Sequence, residues 1–311
     1  MPIHQATRKL IEEFNARPTR RASSLIMTVF GDSFAPRGGS VWLGSLIRAL
    51  GEFGISERLV RTSVFRLSRD GWLESQSVGR RSYYGLTVDG ALRFHQATQR
   101  IYGEPRQRWR GEWCIVLLAG LAPAARDALR KDMIWLGFGS IGAGLMVHPE
   151  PDRAELDDAI ARHGGTEAVV VLGAKSGSVR HDHMLRGLAA KSWNLADIDA
   201  RYAAFIARFR PVCAALRRAH RLEPLEAFLV RSLAIQEYRR ILLRDPQLPP
   251  PLLPADWHGL AAYRLCRELY LVVYADADRY LDQHIETAAG PLPSPAREFY
   301  DRFGGLRRNK S

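Results

Sequence analysis

Residues 41–86 read VWLGSLIRALGEFGISERLVRTSVFRLSRDGWLESQSVGRRSYYGL, and this stretch decides the fold of the N-terminal third. Val41, Leu43, Leu46, Ile47 and Leu50 share one face of a helix that Ser40 is placed to cap and that Gly51 to Gly54 end. Ser56 and Glu57 open the next helix, whose inward stripe is Val60, Val64 and Leu67, spaced four and then three residues apart. Gly71 ends it. Two β-type segments, Trp72-Leu73-Glu74 onward and Ser82-Tyr83-Tyr84-Gly85-Leu86, then flank a basic tip of Gly79-Arg80-Arg81 and predict a hairpin.

Helix, turn, helix and hairpin make a winged helix, whose second helix of the pair enters the major groove of DNA. With the apolar stripe inward, that helix presents Arg58, Arg61, Thr62, Arg66 and Arg69 on its opposite face. Arginine can hold guanine through two hydrogen bonds or clamp a phosphate. Arg80 and Arg81 at the hairpin tip form a compact cationic wing suited to phosphates or the minor groove. The plainer reading is a solvated basic face on an ordinary three-helix domain.

Working outward, Leu25, Ile26, Val29 and Phe30 space an earlier helix that is expected to stop at Gly31-Asp32, and Leu86 to Tyr102 resumes as helix. Residues 1–19 are polar and mixed. The DNA-binding domain is placed at 20–102, followed by a Gly- and Pro-broken linker at 103–111. A middle domain at 112–176 follows the order β-α-β-β-α-β, with strands at Trp113 to Ala119 and Ala168 to Leu172, helices at Pro123 to Trp135 and Asp152 to His163, and a Gly-punctuated hairpin from Phe138 to Val147. That order is the ferredoxin-like split motif.

A helical C-terminal domain for effector binding and dimerisation is placed at 190–290. Its first apolar face holds Tyr202, Phe205, Ile206, Phe209 and Cys213, with Pro211 expected to kink or end the helix. Leu225 to Leu243 is apolar almost all round. A connector with five prolines spans Asp245 to Pro254, and a long last helix runs from Trp257 to about Glu286. The last 25 residues carry little pattern. The fold class is therefore α+β in three domains.

Charge supports the placement of the DNA contacts. The chain of 311 residues carries 45 Lys and Arg against 33 Asp and Glu, a net charge of +12. Residues 1–111 hold 18 basic and 9 acidic side chains, so most of the excess lies in one third of the chain. A polyanion is the expected partner. Cys114, Cys213 and Cys266 form no CxxC pair and read as small core residues. No apolar run is long enough to span a bilayer and the N-terminus shows no signal peptide, so a cytoplasmic location and no membrane partner are expected.

Three quoted stretches carry a family resemblance. GDSFAPRGGSVWLGSL (31–46), ERLVRTSVFRLSRDGWL (57–73) and GRRSYYGLT (79–87) resemble the N-terminal region of the PaaX family, repressors of phenylacetic-acid catabolism. YRRILLRDPQLPPPLLPADW (238–257) resembles that family's final domain, and the likeness extends over about residues 20–285. The resemblance implies a winged-helix domain, a middle domain similar to the small CRISPR-associated nuclease subunit, and a helical C-terminal domain. It also implies a homodimer on double-stranded operator DNA, released by an aryl-acyl-CoA such as phenylacetyl-CoA. Gln236 and His258 depart from the family's usual His and Pro.

A CoA thioester needs basic groups for its phosphates and an aromatic slot for its aryl end. Tyr238, Arg239, Arg240, Trp193 and Tyr202 are the expected effector contacts, with Phe205 and Trp257 as further slot candidates. Ion pairs and an aromatic core within a helical bundle are the bland account of the same residues.

Other constellations fail on context. Gly137-Phe138-Gly139-Ser140-Ile141-Gly142 matches GxGxxG by letter, but a helix precedes it and a strand follows, the reverse of a dinucleotide site. His181-Asp182-His183, with His148 and His163, reads as a polar loop rather than a metal cluster. No nucleophile elbow or Cys-His pair is evident, and no catalytic residue, metal or cofactor is expected. The alternative function is a nucleic-acid enzyme that cleaves with its middle domain. Metal-dependent cleavage wants a carboxylate near the end of the first strand, and WCIVLLAG offers none beyond Glu112 at its entry.

Overall fold

The structure is a computed structural model that describes residues 4–16, 22–105, 109–142, 144–175, 179–219 and 221–306. Within these, the side chains at positions 96, 179–183 and 185 are left aside. The chain divides into two compact units. The first comprises Met1–Glu104, Ala204–Arg239 and Ala261–Ser311, and the second Pro105–Ala203 and Arg240–Leu260. The segment expected as a C-terminal domain thus contributes to both units.

In chain order the first unit begins with α1 (Gln5–Asn15) and α2 (Ala22–Val29). The helix does not stop at Gly31-Asp32 as expected. It continues as a π-helical turn over Phe30–Phe34 and a 3-10 turn over Ala35–Arg37. Two contacts with distant parts of the chain hold it there. Gly31 lies so close to Phe94 that a Cβ would meet the ring at 2.4 Å, and Asp32 is drawn into the core by buried cations described below. The turn residue Gly38 then reverses the chain at φ 94.

Val41–Trp42 forms a short strand, β1, and Trp42 rather than Ser40 precedes α3 (Leu43–Gly51). Ser40 cannot cap a helix that starts three residues later. α4 (Glu57–Arg69) begins at Ser56, whose hydroxyl accepts from the Leu59 amide, and buries Val60, Ser63, Val64 and Leu67. The chain leaves it through Gly71 at φ 73. β2 (Leu73–Val78) and β3 (Arg81–Leu86) form the expected hairpin, with Val78 opposite Arg81 across the Gly79-Arg80 turn. β1 pairs with β3, so the sheet order is β1-β3-β2. α5 (Val88–Tyr102) follows, capped by the Thr87 hydroxyl accepting from the Gly90 amide.

The second unit contains β4 (Glu112–Leu117), α6 (Pro123–Trp135), β5 (Gly139–Ser140), β6 (Leu145–His148), α7 (Arg153–Arg162) and β7 (Val170–Lys175). The order of elements is the expected β-α-β-β-α-β, with ends shifted by a few residues. The strands lie in the order β5-β6-β4-β7, every pair antiparallel. Alternation along β4 explains the layering. Cys114 and Val116 point into a core shared with Leu129, Met133, Leu156 and Ile160 of α6 and α7. Trp113 points the other way, toward Trp109, Trp193, Leu248, Leu252 and Trp257.

α8 (Val179–Ser192) carries positions 181–183, so the expected loop is helical there; the side chains of His181, Asp182 and His183 lie outside those described. α9 (Leu195–Arg218) contains Pro211 without ending. Ala207 and Pro211 are both exposed, so the carbonyl that loses its donor faces water. α10 (Pro224–Leu242) and α11 (Gly259–His284) bracket the proline connector, which holds Gln247 at φ 53 and a 3-10 turn at Pro250–Leu252. β8 (Glu286–Thr287), β9 (Gly290–Pro291), α12 (Arg297–Tyr300) and a 3-10 turn over Arg302–Gly304 complete the described chain. Contrary to the weak pattern of its last 25 residues, Phe299, Arg302, Phe303 and Leu306 are buried in the first unit.

A charged cluster ties that unit together. Asp32, 2% exposed, lies 2.9 Å from Arg231 and 3.1 Å from Arg302. The hydroxyls of Tyr102 and Tyr270 both donate to Asp32 Oδ1, at 2.6 and 2.9 Å. Arg231 also donates to Ser33 and Asp278, and Arg302 to the Gly31 carbonyl and the Tyr270 hydroxyl. Burial raises both tyrosines above their ordinary pKa, so each keeps its proton and remains a donor. A buried charge persists only when it is paired, and both guanidiniums here lie against the Asp32 carboxylate.

Candidate nucleic-acid interface

α4 separates its two chemistries cleanly. Its buried stripe anchors the helix in the first unit, and Arg58, Arg61, Thr62, Arg66 and Arg69 are all exposed on the other side. The arginines differ in how free they are. Arg61 holds Glu57 one turn back, with Nη2 at 2.7 Å, and Arg69 lies 3.4 Å from Asp70. Arg58 and Arg66 have no ion-pair partner among the described residues. The Thr62 hydroxyl donates to the Arg58 carbonyl at 2.9 Å. Exposed pairs of this kind are worth only about 0–1 kcal/mol, so a phosphate or a guanine edge can displace them.

The wing is less uniform than the sequence suggests. Arg80 is exposed at the turn, with no ion-pair partner among the described residues. Arg81 is already engaged: it donates to Glu286 at 2.7 Å and lies over the Trp42 ring at 4.3 Å. Hydrogen bonding to Tyr83 and to Glu286 raises its pKa. Arg48 shares the same Trp42 ring and approaches Glu286 at 3.7 Å. Nothing local in the sequence marks the Glu286 partnership, because the two residues are 205 positions apart.

Phe65 was missed by reading the arginines alone. It lies outside the Val60, Val64 and Leu67 stripe, which was the available signal, and it is 71% exposed on the same face as Arg58, Arg61, Thr62, Arg66 and Arg69.

The expected effector residues lie in both units. In the first, Tyr238 is buried and packs near Phe205 at 5.8 Å, and Arg239 donates to the Ser24 carbonyl and hydroxyl at 3.3 Å. Beside it Gln236 is fully buried, accepting from Thr28 and donating to Ser24 at 2.9 Å. In the second, the Tyr202 hydroxyl donates to Asp245 at 2.7 Å with Trp257 against its ring, and the Trp193 indole donates to the Gly137 carbonyl at 2.8 Å. Arg240 belongs to this unit and is half-buried. His258 pairs with Asp199 through its backbone amide and Nδ1, at 2.7 and 2.9 Å.

A groove of about 340 Å³ in the first unit was not anticipated. Arg210, Arg217 and Arg264 surround an apolar floor of Cys213, Ala214, Ala261 and Leu265, with Glu268 beside Arg217. The arginines come from α9 and α11, and Arg210 and Arg264 have no ion-pair partner among the described residues. Cys213 is buried, and burial pushes its thiol up to about 11, which makes it inert near neutral pH.

The remaining motifs resolve locally. Gly139 admits the Trp193 ring at 2.6 Å from where a Cβ would stand, so the glycine run serves close packing and turns. His148 Nδ1 accepts from the Glu150 amide and His163 pairs with Asp132, so the two have separate partners. Among the described residues no group of three or more His, Cys, Asp or Glu is gathered as a metal would require. No helix among them is long and apolar enough to cross a membrane.

Comparison with known proteins matches three family models along the chain. These are the PaaX-like protein over residues 21–90, the PaaX protein central Cas2-like domain over 106–185, and the PaaX-like protein C-terminal domain over 193–283. The chain is 37% identical over 293 residues to the transcriptional repressor PaaX of Escherichia coli (strain K12), covering 94% of this chain and 92% of that protein. Among solved structures it is similar to the uncharacterized protein Rv0674 from Mycobacterium tuberculosis, with 23% identity, a TM-score of 0.49, and coverage of 76% of this chain and 89% of that one. An arginine-faced helix beside a basic hairpin, a Cas2-like middle segment and identity along nearly the whole length place the chain in the PaaX-like family, as a transcriptional regulator and not an enzyme.

Proposed function

We propose that this chain is a repressor of a phenylacetate-type catabolic operon that binds double-stranded operator DNA with α4 as the recognition helix of a winged-helix domain and the β2–β3 hairpin as its wing. The observation that carries the reading is the two-sided character of α4, where Val60, Val64 and Leu67 are buried and five outward polar residues, four of them arginines, are exposed. The E. coli relative's name as a repressor supports it. The working form is a homodimer, since two recognition helices related by a two-fold axis read half-sites a whole helical turn apart. Three functional modules, at 20–102, 112–176 and 190–290, divide DNA binding from effector response and dimerisation.

Direct binding to duplex DNA tests the interface. Affinity falls steeply with salt, because each arginine seated on a phosphate releases a counterion. Arg61→Ala weakens binding to the preferred sequence by about 1–3 kcal/mol and affects random DNA less. Equal losses on both duplexes would make Arg61 a phosphate contact. The double change Arg80→Ala and Arg81→Ala lowers affinity for both duplexes and flattens the salt dependence.

The releasing effector is an aryl-acyl-CoA, phenylacetyl-CoA by the family resemblance. Tyr238, Arg239, Arg240, Trp193 and Tyr202 remain the proposed contacts from the sequence, and the Arg210–Arg217–Arg264 groove has guanidiniums suited to its phosphates. Titration of phenylacetyl-CoA, phenylacetate and CoA into the DNA-binding measurement checks this. Release by the thioester alone supports a site that reads both ends of the molecule, and no effect from any of the three rejects the effector.

A further inference from the structure

Phe65 stands apart from every other phenylalanine in the chain. The chain has 12, and the other eleven, all among the described residues, are buried; Phe65 is 71% exposed. An isolated exposed apolar residue is ordinary on a protein surface. The position of this one is not. Arg61 and Thr62 lie four and three residues before it and Arg69 four after, so its ring stands in the middle of the cationic face of α4. Its own helix buries Val60, Val64 and Leu67 on the far side, so the ring has no route into the core.

On the reading of α4 as the recognition helix, we propose that Phe65 reads thymine through its 5-methyl group in the major groove. The argument is one of elimination by chemistry. A phenyl ring neither donates nor accepts an ordinary hydrogen bond, so it makes no productive contact with phosphate oxygens or with the polar edges of guanine, cytosine or adenine. The thymine methyl is the apolar group that the major groove presents, and phenylalanine is among the side chains that contact it. The surrounding arginines fix the helix on the backbone and on guanine edges, and the ring supplies a base preference that they lack.

The full-length protein is used to select its preferred sequence from a pool of random duplexes, and each thymine of that sequence is then replaced singly by deoxyuracil, which differs only by the methyl group. The wild type is expected to lose affinity about fourfold per half-site at one symmetry-related thymine, the worth of one buried methyl. Phe65→Ala loses a similar factor on the thymine duplex and becomes indifferent to the replacement, with an unchanged salt dependence. Phe65→Leu, still apolar, retains part of the discrimination.

Wild-type indifference at every thymine would overturn the proposal, as would full methyl sensitivity in Phe65→Ala. A Phe65→Ala protein that changes its oligomeric state but not its base preference would assign the ring to a protein contact instead. Failure to enrich any sequence would reject α4 as a base-reading helix and the proposal with it; enrichment without methyl sensitivity rejects the role of Phe65 alone.

Discussion

Arginine is used in two opposite ways in the first unit. Arg58, Arg61, Arg66 and Arg69 stand in water on α4, unpaired or in weak exposed pairs. Arg231 and Arg302 are almost wholly buried, sharing Asp32 and two tyrosine hydroxyls. The buried pair has surrendered its solvation and is fixed by partners from the π-helical turn and α11, so it contributes to architecture rather than to a binding surface. The exposed set costs the fold little and keeps its hydrogen-bonding capacity for an anion. Charge marks a binding surface only where the surrounding fold has left it unspent.

The sharpest way to break this contrast is to remove the shared carboxylate. Asp32→Ala leaves two buried guanidiniums without their counter-charge and is expected to cost about 3–5 kcal/mol, read as a lower urea midpoint. An unchanged midpoint would mean that water already reaches the cluster. On the exposed side the effects exchange places. Arg58→Ala with Arg66→Ala leaves stability within about 0.5 kcal/mol. Each loss is expected to weaken DNA binding by about 1–3 kcal/mol if that arginine reads a base.

Alkaline titration probes the buried side more gently. Burial raises Tyr102 and Tyr270, and holds Tyr280 up at about 12. Below about 10, the ordinary tyrosine value, folded and unfolded chains both keep these protons, and the stabilising contribution is fully present. As the pH rises from about 10 toward 12 the unfolded chain releases protons that the folded chain retains, and stability falls. Tyr280→Phe should remove part of that slope in chemical denaturation series.

The smallest expected effect lies between the two classes, at Arg81. Glu286→Gln removes the charge that holds Arg81 and should raise affinity for random duplex DNA severalfold, with one more counterion released, a salt slope steeper by about 1. No change in slope would place Arg81 away from the backbone and leave Arg80 as the wing's contact.

These contrasts also explain what could be read in advance. α4, its buried stripe and the hairpin were legible because helix caps, a spacing of four and three, and a glycine turn are local signals. The middle segment was legible in its order of elements, because β4 alternates and its helices are amphipathic. The Asp32 cluster was not. Gly31-Asp32 has the look of a helix end, and the residues that hold the π turn, Phe94, Arg231 and Arg302, all lie far along the chain. Pro211 misled for a similar reason: its cost depends on whether the freed carbonyl reaches water, which no local pattern states. Arg81 was grouped with Arg80 since Glu286 lies beyond any local window. Phe65 was within reach, as an aromatic residue one position off the buried stripe.

The order of synthesis gives the Asp32 cluster a further meaning. Arg302 donates to the Asp32 carbonyl across 270 positions of chain. At about 5–20 residues per second, on the order of 10–50 seconds separate their appearance from the ribosome. The arginine-faced helix is therefore complete in sequence long before the core that supports it can close. A chain that ends before Arg302 lacks one of the two cations that face Asp32, and one that ends before Arg231 lacks both. Closure of the core behind the arginine-faced helix thereby waits on the synthesis of residues 231 to 302.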